Sequence, residues 1–297
     1  MVNVKPEQFQ KIWSALITPT NEDESVNYEA LERIVELQDG AEGFYCCGSS
    51  GEGLLLTLEE RKQVLEHVLK AADGRVPVIS HVGTIRTRDV VDLARHAMSA
   101  GALAVSMIPP YYYKFSMDEI MGYYEDVIRA IPDVPAIVYN IPQFTGVEFS
   151  KENAGRLLSN ENIVGIKHTS TNLYSLERMG QAFPGKALIN GFDEQLLGAL
   201  AMGSCATIGT TVNLFAPLFH RVRDAFDRGD MAQAYHWQHA INLRVEETVK
   251  LGIFNAIKYG WTLRGVDCGF CRAPFRPLDG AAREKMAQLM ALPLEPV

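Results

Sequence analysis

The chain has 297 residues, a formal net charge of −8 and 47% hydrophobic residues, as expected of a globular protein with one large α/β domain or two small domains. The acidic balance, without a dense Lys/Arg stripe, argues against nucleic acid as a partner. No apolar stretch approaches the about 20 residues that span a bilayer, and the N-terminal residues lack an apolar signal-peptide core, so we expect a cytoplasmic protein.

Short apolar runs alternate with helical patterns through residue 228. Eight runs are predicted as strands, at residues 12–17, 43–47, 76–82, 102–108, 135–140, from 163 through Lys167, 186–190 and 205–209. The helical patterns cover residues 28–38, 57–72, 87–100, from 116, from about 150, 174–183, 195–202 and 215–227. This alternation predicts a parallel sheet, and eight units fit a closed (β/α)8 TIM barrel of the α/β class. An open doubly wound sheet is the alternative, but its GxGxxG fingerprint is absent after the first strand.

The residues after the barrel are mostly helical in pattern, with a loop at 265–277. No linker rich in Pro, Gly or Ser marks a separate domain. We therefore expect a barrel over residues 1–228 and a C-terminal helical extension over residues 229–297, packed together as one structural unit.

The five cysteines include one CxxC pair, Cys268 and Cys271, which could supply only two of the four ligands of a zinc ion. The seven histidines show no convincing ligand cluster. We expect neither a disulfide framework nor a bound metal.

Lys167 lies at the end of the apolar run that begins at Ile163. A lysine in such a run is unusual, because removing an ammonium group from water is costly. Burial favours the neutral amine, which can attack a carbonyl and form a Schiff base. A lysine that simply reaches solvent at the strand end is the alternative. The barrel favours catalysis, because active sites of this architecture lie at the C-terminal ends of the strands.

Other polar residues also follow the predicted strands. Tyr139 ends the strand next to that of Lys167, so its phenol is the candidate acid and base for proton transfer, unless it is only an aromatic at the barrel rim. The loop Gly48-Ser49-Ser50-Gly51-Glu52-Gly53 offers backbone N–H groups and hydroxyls to a small anion such as a carboxylate, unless it is an ordinary turn. A 2-oxo acid would use all three features, with its carboxylate in the loop and its ketone condensed with Lys167.

Three segments resemble those of the N-acetylneuraminate lyase family, in the class I pyruvate-dependent aldolase superfamily that includes dihydrodipicolinate synthase. Gly48-Ser49-Ser50-Gly51-Glu52 matches the GxxGE carboxylate loop, Tyr139-Asn140-Ile141-Pro142 matches the YNxP segment, and Lys167-His168-Thr169-Ser170 matches the KxTS segment. The resemblance covers nearly the whole chain. It implies a TIM barrel with a C-terminal helical bundle and reversible cleavage of N-acetylneuraminate to N-acetylmannosamine and pyruvate.

The resemblance also implies the roles of individual residues. Lys167 would form the imine, Tyr139 would relay protons with Ser49, and Tyr112 would enter the site of a neighbouring subunit in a homotetramer. The implied substrate-binding residues are Ser49, Ser50, Thr169, Gly191, Asp193, Glu194, Gly209 and Thr210, of which the two serines would hold the carboxylate. No cofactor is expected, since the imine itself is the electron sink. Phe192 and Thr210 stand where family members have tyrosine or serine, which bears on preference for the sugar-derived chain.

Two alternatives remain. One is a related aldolase or synthase, for 2-keto-3-deoxygluconate or for dihydrodipicolinate, although Phe144 stands where dihydrodipicolinate synthases carry an arginine that grips a second carboxylate. The other is a barrel that binds a 2-oxo acid without turnover, which the presence of Lys167, Tyr139 and Ser49 together disfavours.

Overall fold

Eight parallel strands close into a barrel in the computed structural model, which describes residues 4–294. The strands are β1 (Ile12–Ala15), β2 (Gly43–Cys46), β3 (Val78–His81), β4 (Ala104–Met107), β5 (Ala136–Asn140), β6 (Ile163–His168), β7 (Ala187–Asn190) and β8 (Ala206–Gly209). Each strand pairs with the next, and β8 pairs with β1. The predicted TIM barrel is therefore confirmed.

Helices cover the outside of the barrel and follow its last strand. They are α1 (Tyr28–Leu37), α2 (Leu58–Ala72), α3 (Thr87–Ala100), α4 (Met117–Ala130), α5 (Pro142–Thr145), α6 (Gly155–Leu158), α7 (Leu173–Ala182), α8 (Leu196–Ala201), α9 (Val212–Asp227), α10 (Met231–Lys250), α11 (Ile253–Leu263) and α12 (Gly280–Ala291). Thr57 and Ser116 cap α2 and α4 with the capping boxes that their sequences predict. Among residues 4–294, no helix combines the length and apolarity needed to cross a bilayer.

The helix predicted from about residue 150 is mostly a turn, and only α6 is helical. At its start, side chains form hydrogen bonds with backbone groups that a helix would otherwise use. Ser150 N donates to Asn153 Oδ1 at 2.8 Å, and Asn153 Nδ2 donates to Glu148 O at 2.9 Å. Such local bonds compete with helix formation, so the prediction was wrong over this first turn.

A register shift between β5 and β6 determines which way Lys167 points. Ala136 pairs with Ile163, but Ile137 pairs with Gly165, so one extra residue stands in β6. After the shift, Ile166 packs in the cluster between strands and helices. The next residue, Lys167, faces the cavity inside the barrel mouth.

Candidate active site

A cavity of about 180 Å³ opens at the C-terminal ends of the strands. It collects most of the residues that the sequence predicts for the site, namely Ser49, Ser50, Tyr139, Lys167, Thr169, Gly191, Asp193, Glu194 and Thr210. Gly209 lies directly behind Asp193 and not on the cavity wall. Tyr112, the other predicted residue that is not on the wall, lies exposed at the surface, away from the cavity.

Lys167 lies at the bottom of this cavity, with 4% of its surface exposed. Its Nζ donates to the neutral hydroxyl of Thr169 at 3.2 Å. The same Nζ is 3.7 Å from the centroid of the Tyr139 ring. These neighbours are an aromatic face and a hydroxyl, so the amine is held in place while it remains open to a carbonyl substrate.

Tyr139 is buried, and its ring is held edge-to-face by Tyr45 and His81, with centroids 6.2 and 5.8 Å away. Burial raises the pKa of Tyr139, but the charge of Lys167 and hydrogen bonding with Lys167, Ser49 and Thr169 outweigh burial and lower the pKa below its usual value. A phenol with a lowered pKa, next to the amine, is suited to carry protons between substrate and solvent.

Tyr45 and His81 are contacts that the sequence analysis missed. Both belong to the buried ends of apolar strands, where nothing in the pattern separates them from core residues. His81 Nδ1 lies 3.1 Å from Cys47 O. Burial, followed by the charge of Arg61, lowers the pKa of His81 well below its usual value, so the ring is neutral at pH 7.

The residues 48–53, here named the carboxylate loop, form a tight turn after β2. Gly53 N donates to Gly48 O and Glu52 N donates to Ser49 O, both at 3.1 Å. Ser50 Oγ and Thr210 Oγ1 are 2.7 Å apart, which ties the loop to the end of β8. The backbone N–H groups of Ser49 and Ser50 have no carbonyl acceptor within the described residues, so they are available to an anion.

Asp193 begins the turn after β7 and is buried. Its Oδ2 accepts from the backbone N and the hydroxyl of Thr211, each at 2.7 Å, whereas its Oδ1 has no partner among the described residues. Burial raises its pKa to about 6. The unpartnered Oδ1 is itself buried and lies against Gly209, so it could accept a hydrogen bond from a substrate hydroxyl only after a local shift of the side chain.

Two glycines make room for polar atoms of the site. A Cβ at Gly191 would lie 1.9 Å from Thr169 Oγ1, and a Cβ at Gly209 would lie 2.0 Å from Asp193 Oδ1. Any side chain at either position would displace the hydroxyl or the carboxylate. Glycine is therefore needed at both positions for a steric reason.

Tyr112 projects from the turn after β4 with 86% of its surface exposed and a backbone φ of 75°. It stacks edge-to-face on the exposed Tyr113, at 5.1 Å between centroids. Its neighbour Tyr111 instead packs against the buried cluster of Ile108, Tyr139 and Ile141. Within one chain, Tyr112 takes no part in the cavity.

One wall of the cavity is apolar and comes partly from the C-terminal helices. Its residues are Val245 and Val249 of α10, and Ile253 and Phe254 at the start of α11. This wall could not be predicted from the sequence, because apolar residues at helical spacing are typical of any packed helix.

No group of three or more His, Cys, Asp or Glu side chains in residues 4–294 is arranged to hold a metal ion. Cys268 and Cys271 are both free and buried. Burial raises the pKa of the Cys268 thiol to about 12, so this thiol is protonated at neutral pH.

Comparison with known proteins gives matches over almost all of the chain. The model of the dihydrodipicolinate synthetase family matches residues 8–292. The N-acetylneuraminate lyase of Rhizobium meliloti (strain 1021) is 40% identical over 290 residues, which cover 96% of this chain and 96% of that protein. The crystal structure of N-acetylneuraminate lyase from Fusobacterium nucleatum aligns with a TM-score of 0.90 at 35% identity, over 95% of this chain and 98% of that one. CdNal from Clostridium difficile, crystallised in complex with mannosamine, aligns with a TM-score of 0.92 at 30% identity, over 94% of this chain and 97% of that one.

Proposed function

The chain belongs to the dihydrodipicolinate synthetase family, and we propose that within it the protein is an N-acetylneuraminate lyase, an enzyme that reversibly cleaves N-acetylneuraminate to N-acetylmannosamine and pyruvate. The observation that carries the proposal is the placement of Lys167. Its amine is buried at the bottom of a cavity, against Tyr139, with a hydroxyl-rich loop on one side and Asp193 and Glu194 on another.

Imine formation is the first step of the proposed reaction. The amine of Lys167, after it loses a proton to solvent, attacks the C2 ketone of open-chain N-acetylneuraminate, and water leaves. Ser49 and Ser50 receive the C1 carboxylate through their N–H and hydroxyl groups. The Tyr139 phenol supplies the proton that the departing oxygen needs, which leaves a phenolate next to the cationic imine.

Carbon–carbon cleavage follows. The Tyr139 phenolate removes the proton of the C4 hydroxyl, the C3–C4 bond breaks, and its electron pair moves into the imine to give an enamine. N-acetylmannosamine leaves as an aldehyde. Protonation of C3 and hydrolysis of the imine then release pyruvate and free Lys167. Every step is reversible, so the same groups serve condensation.

Asp193 and Glu194 are proposed to bind the polyol part of the substrate, together with Thr169. These carboxylates accept from hydroxyl groups and would repel the carboxylate of an acceptor such as aspartate semialdehyde. Phe144 supports the same choice, because an apolar ring at the cavity mouth cannot pair with a second carboxylate.

We further propose that the active form is a homo-oligomer, with a tetramer expected. The exposed pair Tyr112 and Tyr113 supports this, since aromatic residues are enriched at the cores of protein interfaces. In the assembly, Tyr112 would reach the cavity of a second copy.

The test is a comparison of substrates. Incubation with N-acetylneuraminate should release pyruvate faster than incubation with 2-keto-3-deoxygluconate. In condensation with pyruvate, N-acetylmannosamine should react faster than aspartate semialdehyde. The reverse order in either pair would reject the lyase and leave only the aldolase chemistry, whereas no pyruvate from any substrate would favour a binding protein.

A further inference from the structure

Glu52 and Lys258 form an ion pair that is buried behind the carboxylate loop. Lys258 Nζ lies 2.7 Å from Glu52 Oε1, and the two side chains are 0% and 2% exposed. Glu52 belongs to the loop after β2, whereas Lys258 belongs to α11 in the C-terminal extension. Neither residue lines the cavity, and the proposed reaction uses neither charge.

The pair is the centre of a small network. Glu52 Oε2 accepts from Arg272 N at 2.8 Å, and Lys258 Nζ donates to Phe270 O at 2.9 Å. The Glu52 carboxylate thus joins three parts of the chain, which are the carboxylate loop, α11 and the segment around residue 271. The start of α11 also lines the cavity through Ile253 and Phe254, so one helix meets both the cavity and the loop.

Glu52 is directly coupled to Ser49. Its backbone N donates to Ser49 O at 3.1 Å, and its φ of 54° is in the left-handed region that non-glycine residues seldom adopt. Without an external hold on the side chain, the turn would relax toward commoner backbone angles. Such relaxation would shift Ser49 and Ser50, which both line the cavity.

Fold stability alone is a poor explanation for this pair. Removing two charges from water is costly, and apolar residues of similar volume often stabilise a protein at least as well as a buried ion pair. A charge pair does, however, favour one arrangement of its two side chains, because the attraction between the charges falls as they separate.

We propose that Glu52 and Lys258 are positioning residues, which hold the carboxylate loop from behind in the geometry that receives the substrate carboxylate. The inference rests on the proposed function, since it concerns the same site. It predicts that substrate carboxylate binding depends on a charge pair that touches no substrate.

The experiment measures pyruvate binding separately from stability. Borohydride trapping of the pyruvate imine is followed against pyruvate concentration, which gives an apparent dissociation constant, and thermal unfolding is recorded on the same samples. The variants are Glu52→Gln, Lys258→Met and the double variant. Each single variant should lower Tm and raise the dissociation constant for pyruvate about tenfold. This is the change expected when the carboxylate of pyruvate loses one charge-assisted hydrogen bond from the loop.

The double variant separates positioning from stability. It leaves no unpaired buried charge, so Tm should recover. The contact between the neutral side chains at positions 52 and 258 holds the loop less firmly than the charge pair, so the dissociation constant for pyruvate should stay raised. Because the double variant lacks an unpaired buried charge, it can still be measured if a single variant does not fold. Recovery of pyruvate affinity together with Tm would overturn the inference.

Glu60→Gln is the matched control. Glu60 pairs with the guanidinium of Arg272 at 2.9 Å, so it ties the same C-terminal segment to α2 without contacting the carboxylate loop. This variant should lower Tm and leave pyruvate affinity unchanged. An equal loss of affinity would show general loosening and overturn the inference. A wild-type protein that forms no adduct would instead overturn the proposed function, and the inference with it.

Discussion

Lys167 and Tyr139 are paired residue-to-residue across β6 and β5, which places the Lys167 amine 3.7 Å from the centre of the Tyr139 ring. The candidate nucleophile and the candidate acid and base therefore come from neighbouring strands of a closed sheet and not from mobile loops. Strands hold side chains more firmly than loops do, so the distance between the two groups varies little.

Lys167→Ala should abolish turnover and the trapping of pyruvate by borohydride, because no other lysine of residues 4–294 lines the cavity. Peptide mapping of the wild-type adduct should place the label on Lys167. The matched control is Lys186→Ala. Lys186 is half-buried near the start of β7, where its Nζ donates to Asn160 O and Ile163 O, so its loss should affect stability and leave trapping intact. A wild-type adduct on the fully buried Lys258 would contradict the assignment.

Tyr139→Phe should reduce kcat by about 10²–10⁴-fold, the usual contribution of a positioned acid and base, because the ring remains but the phenol is lost. The folded structure should persist, since the edge-to-face contacts with Tyr45 and His81 need only the ring. Steady-state kinetics and circular dichroism measure the two effects. Tyr124→Phe is the control, because its buried hydroxyl donates to Met107 O outside the cavity. A comparable fall in kcat for both variants would mean that Tyr139 has only a structural role.

The barrel and most of the site could be predicted from the sequence because both depend on local patterns. Eight short apolar runs, each followed by a helical pattern, lead to one architecture, and polar residues at the ends of those runs then meet at one rim. Lys167, Tyr139 and Asp193 are predicted in this way, since a polar residue after an apolar strand stands out from its surroundings, and all three line the cavity.

Other features depend on contacts that a single sequence does not reveal. The extra residue in β6, which turns Lys167 toward the cavity, is visible only from the pairing with β5. Val245 and Phe254 look like ordinary core residues until α10 and the start of α11 are placed over the rim. The Glu52–Lys258 pair joins positions about 200 residues apart in the chain, beyond the reach of any local pattern.

Gly191→Ala should impair catalysis while leaving the protein folded. The new Cβ would lie 1.9 Å from Thr169 Oγ1, so the hydroxyl that holds the Lys167 amine must move. Overpacking of this kind costs about 1–3 kcal/mol of stability, and kcat should fall together with the rate of imine formation. Gly122→Ala is the control, because a Cβ there meets no atom within 4 Å on α4 and should leave stability unchanged or raise it. Normal imine formation in Gly191→Ala would contradict the role given to Thr169.

Asp193 should make stability depend on pH in a direction opposite to that of most carboxylates. Burial raises its pKa from 3.8 to about 6, so the folded protein holds this proton more tightly than the unfolded chain does. The stabilisation by the protonated form is present below about pH 4 and is lost as pH rises through about 6. The loss should amount to about 2–3 kcal/mol at most.

Asp193→Asn cannot ionise at this position. Its free energy of unfolding should therefore rise relative to that of the wild type between about pH 4 and pH 6, and the difference should stay constant at higher pH. Urea denaturation at several pH values measures the difference. Asp118→Asn, at a side chain that is 97% exposed, should show no such trend. A difference between Asp193→Asn and wild type that stays constant over this range would refute the raised pKa.

Tyr112 gives a prediction that tests assembly and catalysis together. Its side chain is exposed and lies outside the cavity of its own chain, so any contribution to catalysis must come from a second copy. Tyr112→Ala should therefore lower activity in an oligomer whose size, measured by light scattering, is unchanged.

When subunits of Tyr112→Ala and Lys167→Ala are mixed and allowed to exchange, activity should partly return, because a Lys167→Ala subunit still offers Tyr112 to a cavity that retains its lysine. Mixing Tyr112→Ala with a variant that lacks both residues provides the control, since neither partner then offers the tyrosine and activity should stay low. A wild-type monomer at assay concentration, or mixtures that never regain activity, would show that Tyr112 does not act across subunits.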